Sequence, residues 1–332
     1  MKFSFKVLGI FVLSIAFLGG FNADDSSAEL LGDGMTIYFQ MGGDPGGAAT
    51  LPRTNGARDA AKAFGVKLVE QYSGWQQELM IKQMKEAMAA NPDGISIMGH
   101  PGEGAFGRLV KEARGRGIVV TTGNTPLPGL QATYGAGGFG YAGVVLYEGG
   151  KITAQEMISK GGLKKGDKVL VYGLLSQGPR GESTRGMKDT LDAAGMTVDY
   201  LEISNEVNRD FTLCAPVITA YMAKNSDLKA IGTQHGGITA TLPRVLKNAG
   251  KKPGDIIIGG IDLAPATITG LEEGYITAAL DQQLYLLGFL PVVQIVLSKK
   301  YGFAGLTTNT GAGVVTPETI GALVPLIKAG IR

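Results

Sequence analysis

Residues 35–70, with the sequence MTIYFQMGGDPGGAATLPRTNGARDAAKAFGVKLVE, contain the pattern that decides the fold. Residues 35–40 form a short apolar run rich in strand-forming residues, and residues 66–70 form a second one. Between them, residues 51–64 have a helical pattern and are followed by Gly65, a residue suited to the left-handed C-cap of a helix. A strand, a helix and a second strand in this order predict a right-handed βαβ unit with parallel strands.

The same alternation continues along the rest of the chain. In the first half, strands are predicted at 95–98, 118–122 and 131–134, and helices at 74–90, 105–114 and 141–160. In the second half, strands are predicted at 168–172, 198–203, 230–233, 256–261 and 276–281, and helices at 182–194, 210–224, 239–249, 265–274 and 285–299. Two similar halves predict an α/β protein of two doubly wound parallel-sheet domains.

The N-terminal residues are typical of a secretory signal peptide. Lys2 and Lys6 precede an apolar run at 7–18 (VLGIFVLSIAFL), and small and polar residues follow up to Ala23. The run is shorter than the roughly 20 residues that cross a bilayer, which disfavours the alternatives of a membrane anchor or a buried N-terminal helix. We therefore expect residues 1–23 to be removed and the mature protein to be soluble and exported.

A second apolar segment, at 284–297, is interrupted by Pro291. It is also shorter than roughly 20 residues, so we interpret it as a helix buried against a sheet or a domain interface.

Composition excludes several classes of function. The 332-residue chain is 44% hydrophobic and 18% charged, and its net charge of +2 falls to about zero without Lys2 and Lys6. No basic cluster is interleaved with aromatic residues, so we expect no nucleic-acid partner. Cys214 is the only cysteine, which excludes an intrachain disulfide and a cysteine zinc site, and its apolar surroundings predict a buried thiol.

Polar side chains follow most of the predicted strands. In open parallel sheets, ligands bind beyond the C-terminal ends of the strands, so these residues are candidates for a shared site. They are Asp44, His100, Asn124, Arg180 with Gln177, His235, Asp262 and Gln282. Amide, carboxylate and guanidinium groups of this kind suit the hydroxyl groups of a polyhydroxylated ligand. Trp75 and Tyr285 could supply apolar faces, although the helical spacing of Trp75 favours a place in the core.

Each of these residues also has a structural interpretation. A histidine at a strand end is often a capping residue, Asp262 could cap the next helix, and Asn124 is a natural turn residue. The evidence for a site is therefore the whole set of residues and not any single one, because the ends of parallel strands converge on one cleft.

Residues 135–140 (GAGGFG) match the glycine pattern of dinucleotide-binding folds. The acidic residue expected about 20 positions later at a strand end is missing, and an exported protein would not meet NAD. We interpret the motif as a flexible crossing between the domains and expect no cofactor. With two histidines in the chain, acid–base catalysis also has few agents, and we expect no enzymatic activity.

Five segments together resemble the type I periplasmic sugar-binding proteins of ABC importers, the ribose-binding-protein family. They are 56–61 (GARDAA), 91–95 (NPDGI), 116–120 (RGIVV), 259–262 (GGID) and 279–283 (ALDQQ), and the likeness covers nearly the whole mature chain. The resemblance implies two domains joined by three crossings that close on a sugar. After the predicted signal peptide at 1–23, we expect a first lobe of 34–137 plus 284–312 and a second lobe of 138–283 plus 313–332.

The resemblance also implies ligand-binding roles for individual residues. The family's acidic ligand residue matches Asp262, and the amide at its last cleft strand matches Gln282. His235 stands where the family has an amide side chain. Near 123–124 the family has a pair of polar residues, of which this chain retains one, Asn124. The family's helix-start arginine falls on Ser183, and we expect Arg180 or Arg185 to substitute for it. The aromatic of the second lobe falls close to Arg209, and the paired aromatics after the first strand are replaced by residues 48–50 (AAT). With few rings available for stacking, an acyclic polyol or a furanose is favoured over a pyranose.

We therefore expect a monomeric periplasmic binding protein that captures a sugar or sugar alcohol and delivers it to an ABC permease in the inner membrane. A sensor that presents the ligand to a chemoreceptor or sensor kinase is the main alternative. An exported NAD-dependent enzyme and an effector-binding transcription regulator are disfavoured, the latter because no helix-turn-helix precedes the first strand.

Overall fold

Strands and helices alternate along residues 29–311 and 313–332, the part of the chain that the computed structural model describes. The first lobe begins with β1 (Thr36–Gly42), α1 (Leu51–Phe64), β2 (Lys67–Tyr72), α2 (Gln77–Ala89), β3 (Gly94–Met98), α3 (Glu103–Gly115), β4 (Val119–Gly123), α4 (Pro128–Tyr134) and β5 (Tyr141–Gly143). The second lobe follows with α5 (Leu146–Gly161), β6 (Lys168–Gly173), α6 (Glu182–Ala193), β7 (Thr197–Glu202), α7 (Asn205–Arg209), α8 (Cys214–Lys224), β8 (Leu228–Thr233), α9 (Gly236–Asn248), β9 (Ile257–Ile261), α10 (Pro265–Glu272) and β10 (Ala278–Asp281). The chain ends with α11 (Leu284–Tyr301), β11 (Thr307–Asn309), β12 (Gly313–Val315) and α12 (Val324–Lys328). The predicted signal peptide lies outside the described residues.

Each lobe is built on a six-stranded sheet. The strand order is β11-β5-β4-β3-β1-β2 in the first lobe and β12-β10-β9-β8-β6-β7 in the second. Strand pairing is parallel throughout, except that β12 runs antiparallel to β10. The predicted α/β fold of two doubly wound parallel sheets is therefore confirmed.

The chain passes between the two sheets three times. The passages follow β5, β10 and β11, so β11 completes the first sheet and β12 completes the second. The predicted boundary between 137 and 138 needs correction, because β5 at Tyr141–Gly143 pairs with β4 and β11 of the first sheet. The first passage therefore lies after Gly143. A strand of three residues is too short to show an alternating pattern in the sequence.

The region around this strand contains two further corrections. Residues 131–134, predicted as a strand, lie in α4, and the predicted helix at 141–160 is β5 followed by α5. The glycine-rich residues 135–140 are not a crossing between lobes. They form a tight turn before β5, where a Cβ on Gly305 would lie 2.2 Å from the carbonyl carbon of Phe139.

Close helix crossings explain some of the many glycines. On α1, a Cβ at Gly56 would lie 2.0 Å from the carbonyl oxygen of Tyr285, and on α11 a Cβ at Gly288 would lie 1.9 Å from that of Arg53. The second lobe has the same arrangement between α5 and α6, where Gly150 and Gly186 each face a backbone carbonyl. Both lobes therefore depend on a pair of glycines that lets two helices touch through their backbones.

Helix α11 is, among the described residues, the one helix long and apolar enough to span a membrane. Half of it is buried inside the fold, where Val292, Ile295 and Val296 pack with β1 and α1 in the core of the first lobe. It is therefore a core helix of that lobe, as its sequence predicted. Cys214 is likewise buried, and burial raises the pKa of its thiol to about 11.

Candidate ligand-binding cleft

A cavity of about 390 Å³ lies between the two lobes. It is formed where the C-terminal ends of strands from both sheets face each other, and its volume suits a small-molecule ligand. All eight residues that the sequence predicted as ligand-binding line it, namely Asp44, His100, Asn124, Arg180, Arg209, His235, Asp262 and Gln282. Asp44 and Arg209 are exposed, whereas the other six are partly or fully buried.

In the first lobe, the wall is formed by the loops after β1, β3 and β4. The Nε2 atom of His100 donates to Oδ1 of Asn124 at 2.8 Å, which places the proton of the neutral ring on Nε2. The rings of His100 and Trp75 have centroids 5.7 Å apart. Burial, followed by the nearby charge of Arg180, lowers the pKa of His100 to about 3, so this histidine is neutral at physiological pH.

Trp75 lines the cavity as well as packing against the apolar core of the first lobe, so its predicted place in the core is only half of its role. Gly42 and Gly43 make this possible, because a Cβ on either would lie 2.5 or 2.8 Å from the indole ring. Tyr285, the other ring offered by the sequence, instead donates its hydroxyl to Asp59 at 2.9 Å, stacks on Phe289 and does not line the cavity.

Behind Trp75 lies Arg53, whose side chain is 1% exposed. It donates from Nη1 to the carbonyl oxygen of Met41 at 2.7 Å, and its guanidinium carbon lies 5.9 Å from the indole centroid. Burial lowers the pKa of Arg53 to about 10, an effect opposed by the negative charge of Asp262 in the other lobe. The two lobes therefore face each other with a buried cation and a buried carboxylate.

In the second lobe, Asp262 and Gln282 form one polar pair. Gln282 donates from Nε2 to Oδ1 of Asp262 at 2.7 Å. Burial raises the pKa of Asp262 to about 6, although the hydrogen bond from Gln282 and the charge of Arg53 act in the opposite direction. A Cβ on Gly236 would lie 2.2 Å from Oδ2 of Asp262, so glycine at this position leaves room for the carboxylate.

Arg180 and His235 form the rest of the second wall. Arg180 donates from Nη1 to Oε1 of Gln177 at 2.9 Å and to Oδ1 of Asn208 at 3.0 Å. His235 caps α9, where its Nδ1 accepts the backbone N–H of Ile238 at 3.4 Å. Burial, followed by the charge of Arg180, lowers the pKa of His235 to about 3. Both histidines therefore offer neutral hydrogen-bonding groups.

The choice that the sequence left open between Arg180 and Arg185 now has a geometric answer. Arg180 lines the cavity, whereas Arg185 is half-exposed on α6 and pairs with Glu182 at 3.1 Å. Ser183, where the family's arginine falls, is buried and also lines the cavity.

Three cavity-lining residues have a left-handed backbone. Trp75, Asn124 and Asp262 have φ values of 62°, 65° and 70°. Asn and Asp tolerate this conformation better than other side chains, whereas it is unfavourable for Trp. Such conformations concentrate at binding sites, where the surrounding structure holds them in place.

Sequence reasoning missed some lining residues as site residues. These are Thr50, Asn208, Phe211 and Gln234, together with several small residues. Phe211 stands two positions after Arg209, close to where the resemblance places an aromatic, so this signal was present in the sequence. A Cβ on Gly237 would lie 2.4 Å from its ring. Trp75 and Phe211 thus place one ring in each wall, which removes the reason for favouring an acyclic polyol or a furanose.

The chemistry of the cleft is that of binding. It combines carboxylate, amide, imidazole and guanidinium groups with two apolar ring faces, an arrangement that can hydrogen-bond the hydroxyls of a ligand and stack on its C–H face. Within residues 29–311 and 313–332, no group of three or more His, Cys, Asp or Glu side chains could hold a metal ion.

A curated relative is named as a sugar-binding protein. The xylose/arabinose-binding protein XylF of Sulfolobus acidocaldarius is 27% identical over 228 residues, which are 66% of this chain and 54% of that protein. The chain therefore spans about half the length of this relative.

Solved structures share the fold over most of this chain. A carbohydrate transporter from Acidothermus cellulolyticus 11B, in complex with myo-inositol, matches with a TM-score of 0.75 at 20% identity, and the alignment covers 90% of this chain and 99% of the transporter chain. An ABC transporter solute-binding protein from Burkholderia graminis C4D1M, in complex with D-arabinose, matches with a TM-score of 0.73 at 22% identity, and the alignment covers 86% of this chain and 96% of that protein.

The family described as "Periplasmic binding protein domain" matches residues 52–298, a range that includes most of both lobes and most of the cleft. This is a family of binding proteins and not of enzymes, in agreement with the binding chemistry of the cleft. The chain therefore belongs to the periplasmic binding protein domain family and has the two-lobed type I fold of the sugar-binding proteins of ABC transporters, which confirms the resemblance found in its sequence.

Proposed function

We propose that this protein captures a sugar or sugar alcohol in the cleft between its lobes and delivers it to an ABC permease. The observation that carries the proposal is the cavity of about 390 Å³ lined by polar groups from both lobes. His100 and Asn124 on one side and Asp262 and Gln282 on the other offer hydrogen-bonding partners to a ligand that touches both walls. The ligands named for the relatives, myo-inositol, D-arabinose and xylose, have the same polyhydroxy chemistry.

The mechanism is closure stabilised by ligand. A solute that contacts both lobes gains interactions in the closed form that it cannot make in the open form, and this difference in affinity shifts the population towards closure. Water leaves the cleft as the lobes approach, and the buried polar groups replace the hydrogen bonds that the ligand made with solvent. A permease can then distinguish the loaded protein by its closed shape.

Export and monomeric assembly complete the proposal. The apolar run at 7–18 after two lysines supports secretion, and we propose that the mature protein works in the periplasm as a monomer. The three passages between the lobes, which follow β5, β10 and β11, supply the hinge.

The proposal is tested by binding and by transport. Purified mature protein is screened by thermal shift against pentoses, hexoses, inositols and alditols, and hits are measured by isothermal titration calorimetry. We expect at least one compound to raise the melting temperature and to bind with 1:1 stoichiometry. Small-angle X-ray scattering should show a smaller radius of gyration on binding. No stabilisation by any sugar or polyol, or by the corresponding sugar acids, would refute capture, and unchanged uptake of the identified ligand in a deletion strain would refute delivery and favour sensing.

A further inference from the structure

When Arg53 behind Trp75 is counted, the cleft region contains three guanidinium groups and two carboxylates. Asp262 and Arg53 face each other across the lobes and influence each other's pKa. Asp44 and Arg209 carry opposite charges on exposed side chains, where solvent screens them. Both histidines are neutral. Among the described residues, this leaves Arg180 as the part-buried, cavity-lining cation without a carboxylate partner.

The surroundings of Arg180 contain no compensating carboxylate within the described residues. Its two hydrogen-bond partners, Gln177 and Asn208, are neutral amides. Burial is the single cause that lowers its pKa to about 10, and no acidic group opposes the shift. Glu182, the nearest acidic residue along the chain, pairs with Arg185. A guanidinium that loses its water when the cleft closes, without an anionic partner, is unfavourable, and a bound anion would relieve that cost.

The free edge of the guanidinium has the geometry for an anion. Both hydrogen bonds of Arg180 leave from Nη1, so Nε and Nη2 donate to no described residue. Neither atom is sealed in the interior, and the residue lines the cavity. Two parallel N–H groups on one edge of a guanidinium match the two oxygens of a carboxylate.

Neutral polar groups that line the same cavity supply partners for hydroxyl groups. His100, Asn124 and Gln282 offer hydrogen-bond donors and acceptors, which suit a hydroxyl group because it can accept and donate. The cleft therefore combines one unneutralised cation with groups for hydroxyls.

We propose that the preferred ligand is a sugar acid, a polyhydroxy monocarboxylate whose carboxylate pairs with the Nε and Nη2 edge of Arg180. The inference rests on the proposed function and specifies its ligand class. One missing negative charge matches a carboxylate, whereas a phosphate monoester would bring nearly two. The hydroxyls of the same ligand occupy the remaining polar groups of the cleft.

The test compares matched pairs of ligands by calorimetry. Pentonates, hexonates and uronates are each measured against the neutral aldose and alditol of the same stereochemistry, with the corresponding sugar phosphates as a third arm. We expect at least one acid to bind tenfold or more tightly than its neutral partners, and its affinity, unlike theirs, to fall as salt is raised.

Substitutions assign the effect to Arg180. Arg180→Gln should lower the ratio of acid to neutral affinity at least tenfold, and Arg180→Lys should retain part of it. Arg185→Gln on the following helix α6 is the matched control, because Arg185 does not line the cavity, and it should keep the ratio. The ligand-free Arg180→Gln protein should melt no lower than wild type, because it loses an unneutralised buried charge.

The outcomes separate the two proposals. Neutral sugars that bind as tightly as their acids, or phosphates that bind alone, would overturn the sugar-acid inference and leave the proposed function intact. Failure of every sugar, alditol and sugar acid to bind would overturn the proposed function. If Arg180→Gln does not fold, the sugar-acid inference is tested by the salt dependence of wild-type affinity and by the ratio of acid to neutral affinity in Arg180→Lys.

Discussion

Asp262→Asn is expected to weaken ligand binding and, at the same time, to stabilise the ligand-free protein. The substitution keeps the shape of the side chain and an oxygen that can accept the hydrogen bond from Gln282, but it removes the charge. A hydrogen bond to a charged group contributes about 1.5–3 kcal/mol, so the dissociation constant should rise about 10- to 150-fold. Calorimetry at pH 7 with the tightest ligand of the screen measures this change.

The stability effect follows from the pKa of the same group. Burial raises the pKa of Asp262 from 3.8 to about 6, so its contribution to stability is present below pH 3.8 and is lost as the pH rises through 6. At pH 7 the charged group destabilises the fold by up to about 3 kcal/mol, an upper bound because part of the side chain faces the cleft. Removing the charge should therefore raise the free energy of urea unfolding at pH 7.

A pH series gives the third readout. For ligands without a titrating group, wild-type affinity should fall as the pH is lowered through about 6, because protonation removes an ionised acceptor, whereas the Asn variant should show no such change. Asp255→Asn is the matched control, since Asp255 is an exposed carboxylate before β9 at the opposite end of the strand that leads to Asp262. Unchanged affinity in Asp262→Asn would remove Asp262 from the site, and lower stability at pH 7 would refute the assignment of a destabilising charge.

Three further predictions follow from the cleft. Trp75, the only tryptophan, lines the cavity, so ligand binding should change the intrinsic fluorescence; a signal that persists in Trp75→Phe would show that the change arises elsewhere. Gly236→Ala places a Cβ 2.2 Å from the carboxylate of Asp262, so it should lower the free energy of unfolding by about 1–3 kcal/mol and the ligand affinity about tenfold. Its control, Gly104→Ala on α3, adds a Cβ in open space and should be neutral or stabilising. Equal melting temperatures and affinities for the two variants would contradict the packing. Both histidines have pKa values lowered to about 3 in the folded state, so their contribution to stability is present above pH 6.5 and is lost as the pH falls towards 3. Replacing both with Gln should therefore flatten the decline of the unfolding free energy across this range. An equally steep decline would indicate that the histidines are protonated in the folded protein.

The sequence predicted residues that line the candidate cleft because the fold places strand ends together. His100, Asn124, His235, Asp262 and Gln282 lie far apart in the chain, yet each follows a parallel strand. Once the βαβ alternation is recognised, a shared cleft follows from topology without knowledge of any side-chain contact.

Sequence reasoning was weaker where the outcome depended on packing. Trp75 has the spacing of a core residue, and the backbone turn that brings its ring to the cavity depends on the absence of side chains at Gly42 and Gly43. The strand β5 was hidden because three residues carry no period, and its partners β4 and β11 are separated by more than 180 residues.

By itself, the sequence determined the two parallel sheets, the order of their elements and the positions at which ligand-facing side chains occur, because hydrophobic periodicity and turn residues are local properties of the chain. The tertiary structure alone decided that Arg180 and not Arg185 lines the cleft, that Trp75 and Phe211 line opposite walls, and that Arg180 has no carboxylate partner among the described residues. These facts depend on distances between residues that are remote in sequence, and electrostatic and packing energies are functions of those distances and not of the order of residues.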